Sequence, residues 1–427
     1  INGGTFSPNG NDGSSVFVSN SGRSVVTAIK GGHYEAKIGA SEPFACITGG
    51  TFTAEAKEGT NTALINDDYA WTEAENGNWT LTRKPDVAMI GEVGYTTLAK
   101  AVAAVEDGGT ITLIANETFT KNNRYNNGGW WDGLGYSGDK SFTIDLNGKT
   151  ISQNGALNDY LMWFKNDGSK DNTITLKNGT MDAGTTAYSA LATASSNAQK
   201  MTVNLENINL INNISNGAVV KARGGAELNV NAGTVITGKN SYVGIEAVGN
   251  NTVVNVYDGA EIYQNGTSSY LGGLVGVCGN GVANVYGGYG KSVRCGFIAM
   301  TSGGTINVAG GEWIANTDGT VGNNSNLYVL TAQSNKYESG FAGASIINVT
   351  GGTFRGGMDA WVLNNVTGEK AELNISGGNF NANPENYVAD GATVTKKVSF
   401  DYVPGMEKSY LELRGTVMYK EKSADLP

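Results

Sequence analysis

The chain has 427 residues, a formal net charge of −10 and an isoelectric point near 4.8. That balance argues against nucleic acid as a partner and against an anionic membrane surface, and no apolar run reaches the roughly 18 residues that a transmembrane helix needs. Glycine contributes 62 residues and proline 6, and 40% of the chain is apolar, the composition of many tight turns around a core rather than of disorder.

Residues 1–85 read as a first short piece. Gly-Gly turns ending at Gly4, Gly32 and Gly50 each lead two residues later to an aromatic, Phe6, Tyr34 and Phe52. The piece closes over Ala63 to Tyr69, with Trp71 and Trp79 beyond, and Pro85 marks a boundary. Its first residue already sits inside a repeat, so the chain is expected to be part of something longer. Residues 86–391 restart the pattern. Thr97 is placed to cap a short helix at about 96–106, in which Leu98, Ala101, Val102 and Val105 share one face and Gly108-Gly109 stops the helix. Laid across the first coil, such a helix covers an apolar end that a solenoid must hide. Residues 121–140 interrupt the repeat with a Gly/Asn-rich loop that carries Trp130, Trp131 and Tyr136.

The repeat itself is a strand with Asn at its centre followed by a Gly turn. Asn229, Asn255, Asn284, Asn307, Asn348 and Asn374 each precede the aligned Gly by four residues, and Asn204 fits the same frame with Ile208 in the Gly position. From Asn204 the intervals are 25, 26, 29, 23, 41 and 26 residues. A recurrence at this period is the mark of a repeat architecture. Apolar residues flank each Asn, as Leu373 and Ile375 flank Asn374, so the Asn points outward from a half-buried strand. The period is too short for a strand plus a crossover helix but suits a coil of two or three strands. Stacked coils make an all-β parallel β-helix, and the Asn column becomes a ladder of amides about 4.8 Å apart. Trp313 and Phe354 fall in the inward register. The 41-residue interval after Asn307 holds about 15 extra residues beyond the usual period, expected between Asn316 and Gly343 with Tyr328, Tyr337 and Phe341 among them; insertions in a solenoid protrude and often carry binding. Residues 392–427 lose the Gly-Gly turn and read as a terminal cap or the start of a following module.

The phrases Ile1–Phe6, Ile47–Phe52 and Val349–Phe354 resemble the "ISGGTF" repeats of large surface proteins from gut Firmicutes, which are right-handed parallel β-helices of the pectate-lyase-like kind. The ending Asn381–Gly391 is similar to the closing coil of that group, and Tyr95–Ile114 to the opening cap of many β-helices. The resemblance implies a right-handed parallel β-helix on a secreted or cell-surface protein. Some members of the group bind host immunoglobulins as B-cell superantigens, which makes an immunoglobulin the first expected partner and a mucin-type glycan the second. Pectate-lyase-like helices also include polysaccharide lyases and glycoside hydrolases.

The one His, His33, has no Asp partner in sequence, and the one Asp pair, Asp67-Asp68, lies in a closing coil. Arg223, Arg294 and Arg355 fall at different offsets in the repeat and make no column. Asn9–Gly13 is a lone turn without the repeated calcium nonapeptide. No catalytic residue, metal site or cofactor is assigned. The three Cys are read either as free thiols or with Cys278 and Cys295 bridged, and Cys46 takes the outward position of the ladder Asn. The binding candidates are Trp130, Trp131, Tyr136, Tyr328, Tyr337 and Phe341, since aromatic residues dominate interface hot spots; the competing reading folds the Trp pair back over the capping helix. The expected function is a non-catalytic extracellular binding module, monomeric within a longer chain, with a degenerate lyase or hydrolase and a passive surface spacer as alternatives.

Overall fold

The computed structural model describes residues 1–8, 13–18, 27–40, 45–120, 133–155, 157, 159–185, 187–195, 199–214, 217–266, 273–299, 303–315, 328–334, 343–362, 370–394, 399–403 and 406–410. The chain divides into two compact units, Ile1–Asp86 and Val87–Pro427. In the first, the short strands Thr5–Phe6, His33–Tyr34 and Thr51–Phe52 stack in parallel register. Strand Trp79–Arg83 then joins the stack antiparallel and pairs with Tyr69–Glu73. The aromatic that follows each Gly-Gly turn lands on the one before it: Phe6 stacks on Tyr34 at 5.1 Å and Tyr34 on Phe52 at 4.8 Å, and Trp71 closes the column edge-on. Helix α1, Ala54–Gly59, starts at Thr53, whose side chain accepts the Ala56 N–H. Cys46 is half-buried and takes a weak contact from Asn66 Nδ2 at 3.8 Å.

The second unit is a parallel β-helix. Each coil contributes a ladder strand, a second strand after the Gly turn, and a third strand. The first two series form a 20-stranded sheet and the third a 9-stranded sheet. Inward columns fill the core: Leu205, Val230, Val256, Val285, Val308, Val349 and Ile375 lie in register and are buried. Trp313 and Phe354 are in the same core, with the Trp313 indole N–H donating to the Gly310 carbonyl at 2.8 Å. Helix α2, Leu98–Ala104, is capped by Thr97 and buries Leu98, Ala99, Ala101 and Val102 in that core. Within 392–427, Ser399–Val403 and Met406–Tyr410 pair antiparallel, and residues from 411 lie outside those described. All three Cys are free thiols. Cys278 and Cys295 share a small apolar cluster with Val248 and Ile298, and burial pushes the Cys295 thiol up to about 12.

The seven ladder asparagines stand in one column. Each amide Nδ2 donates to the Oδ1 of the Asn one coil earlier, from Asn229 on Asn204 to Asn374 on Asn348, at 2.8–3.0 Å. An interior member thus satisfies two neighbours. Asn284→Ala strands the Asn255 Oδ1 in a buried position and the Asn307 Nδ2 in a half-buried one, and is expected to cost about 2 kcal/mol. Asn374→Ala breaks a single bond and is expected to cost about half as much. Urea unfolding of the two variants side by side checks this; equal losses would mean that the ladder bonds are not what is being lost.

One position in the frame differs from the sequence reading. The left-handed turn residue on the Asn204 coil is Asn207 (φ 49°), and Ile208 points into the core. Asn147 (φ 48°) and Asn178 (φ 59°) do the same work on the two preceding coils. Asn tolerates this conformation through its short polar side chain, so the early coils turn on Asn and the later ones on Gly.

Candidate binding surface

The residue two places after the ladder Asn forms a corner column. Asn231, Tyr257, Tyr286, Ala309, Thr350 and Ser376 each donate their backbone N–H to the preceding coil at 2.8–3.0 Å. The coils therefore hold these side chains at the spacing of the helix. On two successive coils the side chain is Tyr. The Tyr257 and Tyr286 rings stack at 5.3 Å with their planes 19° apart. On the coil that follows Tyr286 the column holds only Ala309, so one ring face has no large neighbour. Tyr286 is 53% exposed and Tyr257 37%, two of the few large apolar or aromatic side chains exposed among the described residues.

The same two coils place two more tyrosines just beyond the turn, on the outward face of the second strands. Tyr263 and Tyr289 are half-buried with ring centroids 6.0 Å apart. The Tyr263 hydroxyl donates to Glu261 Oε2 at 2.7 Å, and this bond, with burial, pushes the phenol up to about 12. One and two coils on, Glu312 and Arg355 make an exposed ion pair at 3.0 Å. Tyrosines rimmed by an Arg–Glu pair have the composition of a contact surface, in which large rigid rings supply contact area at small entropic cost.

The outward face of the third sheet is closed by contrast. Trp163, Ala192, Lys221, Glu246, Gly276, Ile298 and Thr331 follow one another in register. All are buried except Lys221, whose ammonium lies 2.8 Å from Glu246 Oε2 with side chains 16% and 10% exposed. Burial alone would lower the Lys221 pKa; the Glu246 carboxylate overcomes it and the net direction is up. Each charge has the other as its partner, which offsets part of the cost of desolvating both.

Of the six aromatic candidates, Trp130, Trp131, Tyr337 and Phe341 lie outside the described residues. Tyr136 is turned inward: its ring meets Phe142 edge-on at 5.0 Å and its hydroxyl accepts the Lys140 N–H at 2.7 Å. Tyr328 is half-buried and lies along the sheet over Gly357, where an added Cβ would fall 2.5 Å from the ring. Each is laid against a neighbouring coil rather than standing out from it. The Tyr257–Tyr286 pair escaped the sequence reading although its signal was present, as Tyr at the same offset from Asn255 and from Asn284. Among the described residues no helix is long and apolar enough to cross a membrane, and no three His, Cys, Asp or Glu side chains group as metal ligands. Compared with known proteins, the chain matches no family model, no curated protein and no solved structure.

Proposed function

We propose that this chain is a binding module of an extracellular surface protein, that its partner is a protein, and that the tyrosine corner at Tyr257 and Tyr286 is the contact. The observation that carries the reading is the stacked, exposed pair on a rigid turn column, with a second tyrosine pair on the same two coils. A solenoid holds such rings without further ordering, so little conformational entropy is lost on docking. The repeat phrases resemble those of a group of surface proteins of which some members bind immunoglobulins, so the variable region of an immunoglobulin is the first partner to test.

The test presents the immobilised chain with purified human Fab, Fc and serum albumin. Fab is expected to bind, and the Tyr257→Ala/Tyr286→Ala double variant to lose at least about tenfold in affinity with its melting unchanged. Absence of Fab binding would overturn the immunoglobulin assignment. Fab binding that the double variant leaves intact would remove the site from this corner.

A further inference from the structure

The same corner, on earlier coils, carries a polar trough of about 480 Å³ lined by Asp145, Asn147, Asn178, Thr180, Asn207 and Asn209. Glycines at 148, 179 and 233 complete the lining, and a trough of this size lies in the range of small-ligand sites. A short side-chain ladder runs along it. Asn178 Nδ2 donates to Asp145 at 3.1 and 3.2 Å, and Asn207 Nδ2 donates to Asn178 Oδ1 at 3.1 Å. The next position in the column is Gly233, also in the left-handed region (φ 76°). With no side chain there the ladder stops at Asn207; a Cβ on Gly233 would lie 3.1 Å from Asn207 Oδ1 and 3.2 Å from its Cα, so the two coils approach closely at this end of the trough.

The lining selects the ligand. A cation finds one carboxylate, and Asp145 is already engaged by the Asn147 N–H at 2.9 Å, by Asn178 and by Lys177 at 3.6 Å. Hard cations want several free oxygens. An anion finds no cationic side chain in the lining. An apolar ligand finds amides, a hydroxyl and glycine backbone. What remains is a neutral, hydroxyl-dense molecule, since Asn side chains both donate and accept as sugar hydroxyls do. We infer that this trough is a binding site for a neutral oligosaccharide, with Asn207 and Asn209 as its principal contacts. The site is independent of the tyrosine corner and of the protein partner proposed for it.

Gly233→Asn tests the inference directly. Asn already adopts the left-handed conformation at 147, 178 and 207, so the variant places an amide at the Gly233 end of the trough, with a small shift of Asn207 to admit its Cβ. Cellohexaose, chitohexaose and xylohexaose serve as neutral probes and hexagalacturonate as the acidic one, measured by titration calorimetry and ligand-observed NMR on the full chain. At least one neutral probe is expected to bind, and Gly233→Asn to weaken it about tenfold or more. Asn209→Ala, at an exposed position, is expected to weaken it similarly, and it decides the matter should Gly233→Asn fail to fold. The inference is overturned if no neutral probe binds at about 10 mM, if hexagalacturonate binds more tightly than all three, or if a folded variant binds as the parent does.

Discussion

Gly351→Ala is expected to destabilise the β-helix by about 3 kcal/mol or more, the upper end of overpacking costs. At Gly31, Gly49, Gly310 and Gly351 the first Gly of the Gly-Gly turn lies directly against a carbonyl oxygen of the coil before it. An added Cβ would be 2.3 Å from Ala309 O at Gly351, 2.5 Å from Tyr286 O at Gly310, and 2.3 Å from Lys30 O at Gly49. These neighbours are backbone in a parallel ladder, so relief requires the coils to part. The second Gly has a different reason: Gly311 (φ 91°) and Gly352 (φ 103°) sit where a side chain is strained whatever the space. Gly3 supplies the control. It is the first Gly of the same phrase, yet nothing lies within 4 Å of its would-be Cβ, so Gly3→Ala is expected to be neutral within about 0.5 kcal/mol. Hydrogen exchange should place the damage of Gly351→Ala in the coils next to it, because a solenoid's stability is a sum over neighbours. Equal melting of Gly351→Ala and the parent would show that the close approach is not needed.

That contrast explains what the sequence made legible. The ladder strand and its turn recur because each atom of them meets its own copy on the next coil. Asn255 must bond Asn229 and Asn284, and Gly310 must let Tyr286 O approach. Such constraints repeat in the sequence, and the parallel β-helix follows from them. The third strands carry no marker of this kind. Val220, Ile245, Val275 and Leu330 share an inward column, but any apolar residue of suitable size would serve, and the segments before them vary in length. Burial of the outward column through Trp163 and Ile298 was equally hidden, since alternation alone assigns an outward residue to solvent.

The functional surface was less legible for a related reason. Aromatic residues in irregular segments drew attention first, yet Tyr136 and Tyr328 are laid on neighbouring coils. The exposed pair came instead from inside the regular repeat. Tyr257 and Tyr286 are conspicuous only once the turn offset is treated as a column, with Asn231 before them and Ala309 after. The trough depends on something still less visible, the change from Asn207 to Gly233 at the left-handed position. In sequence that is one amide missing from a series; in the fold it is where the side-chain ladder along the trough stops.

Stability of the second unit is expected to fall as pH rises from about 4.5 to about 7, and Glu117→Gln is expected to abolish that slope. Glu117 is 9% exposed, and its Oε2 accepts the N–H of Leu98, the first residue of helix α2, at 2.8 Å. Burial raises its carboxyl to about 7 from an ordinary 4.5; the Leu98 bond opposes this and is outweighed. Among the described residues it has no ion-pair partner. Between these two values the folded chain keeps a proton that the unfolded chain has released, so the favourable contribution is complete below 4.5 and is lost as pH passes 7. Its size is about 3 kcal/mol. Asp107 and Asp139 act in a separate window with the opposite sign: the bond from Lys170 lowers the first and the bonds from Ser169 lower the second, so their contributions are lost only as pH falls through the acid range. In Glu117→Gln the amide oxygen can still accept the Leu98 N–H, and no charge is left to bury. The variant should match the parent near pH 5 and exceed it at pH 8, by an amount approaching the same 3 kcal/mol, roughly. Urea unfolding at pH 5, 6, 7 and 8, followed by hydrogen exchange at Leu98, measures both the slope and its origin. Parallel curves for parent and variant would mean that Glu117 is not the group that couples helix α2 to pH.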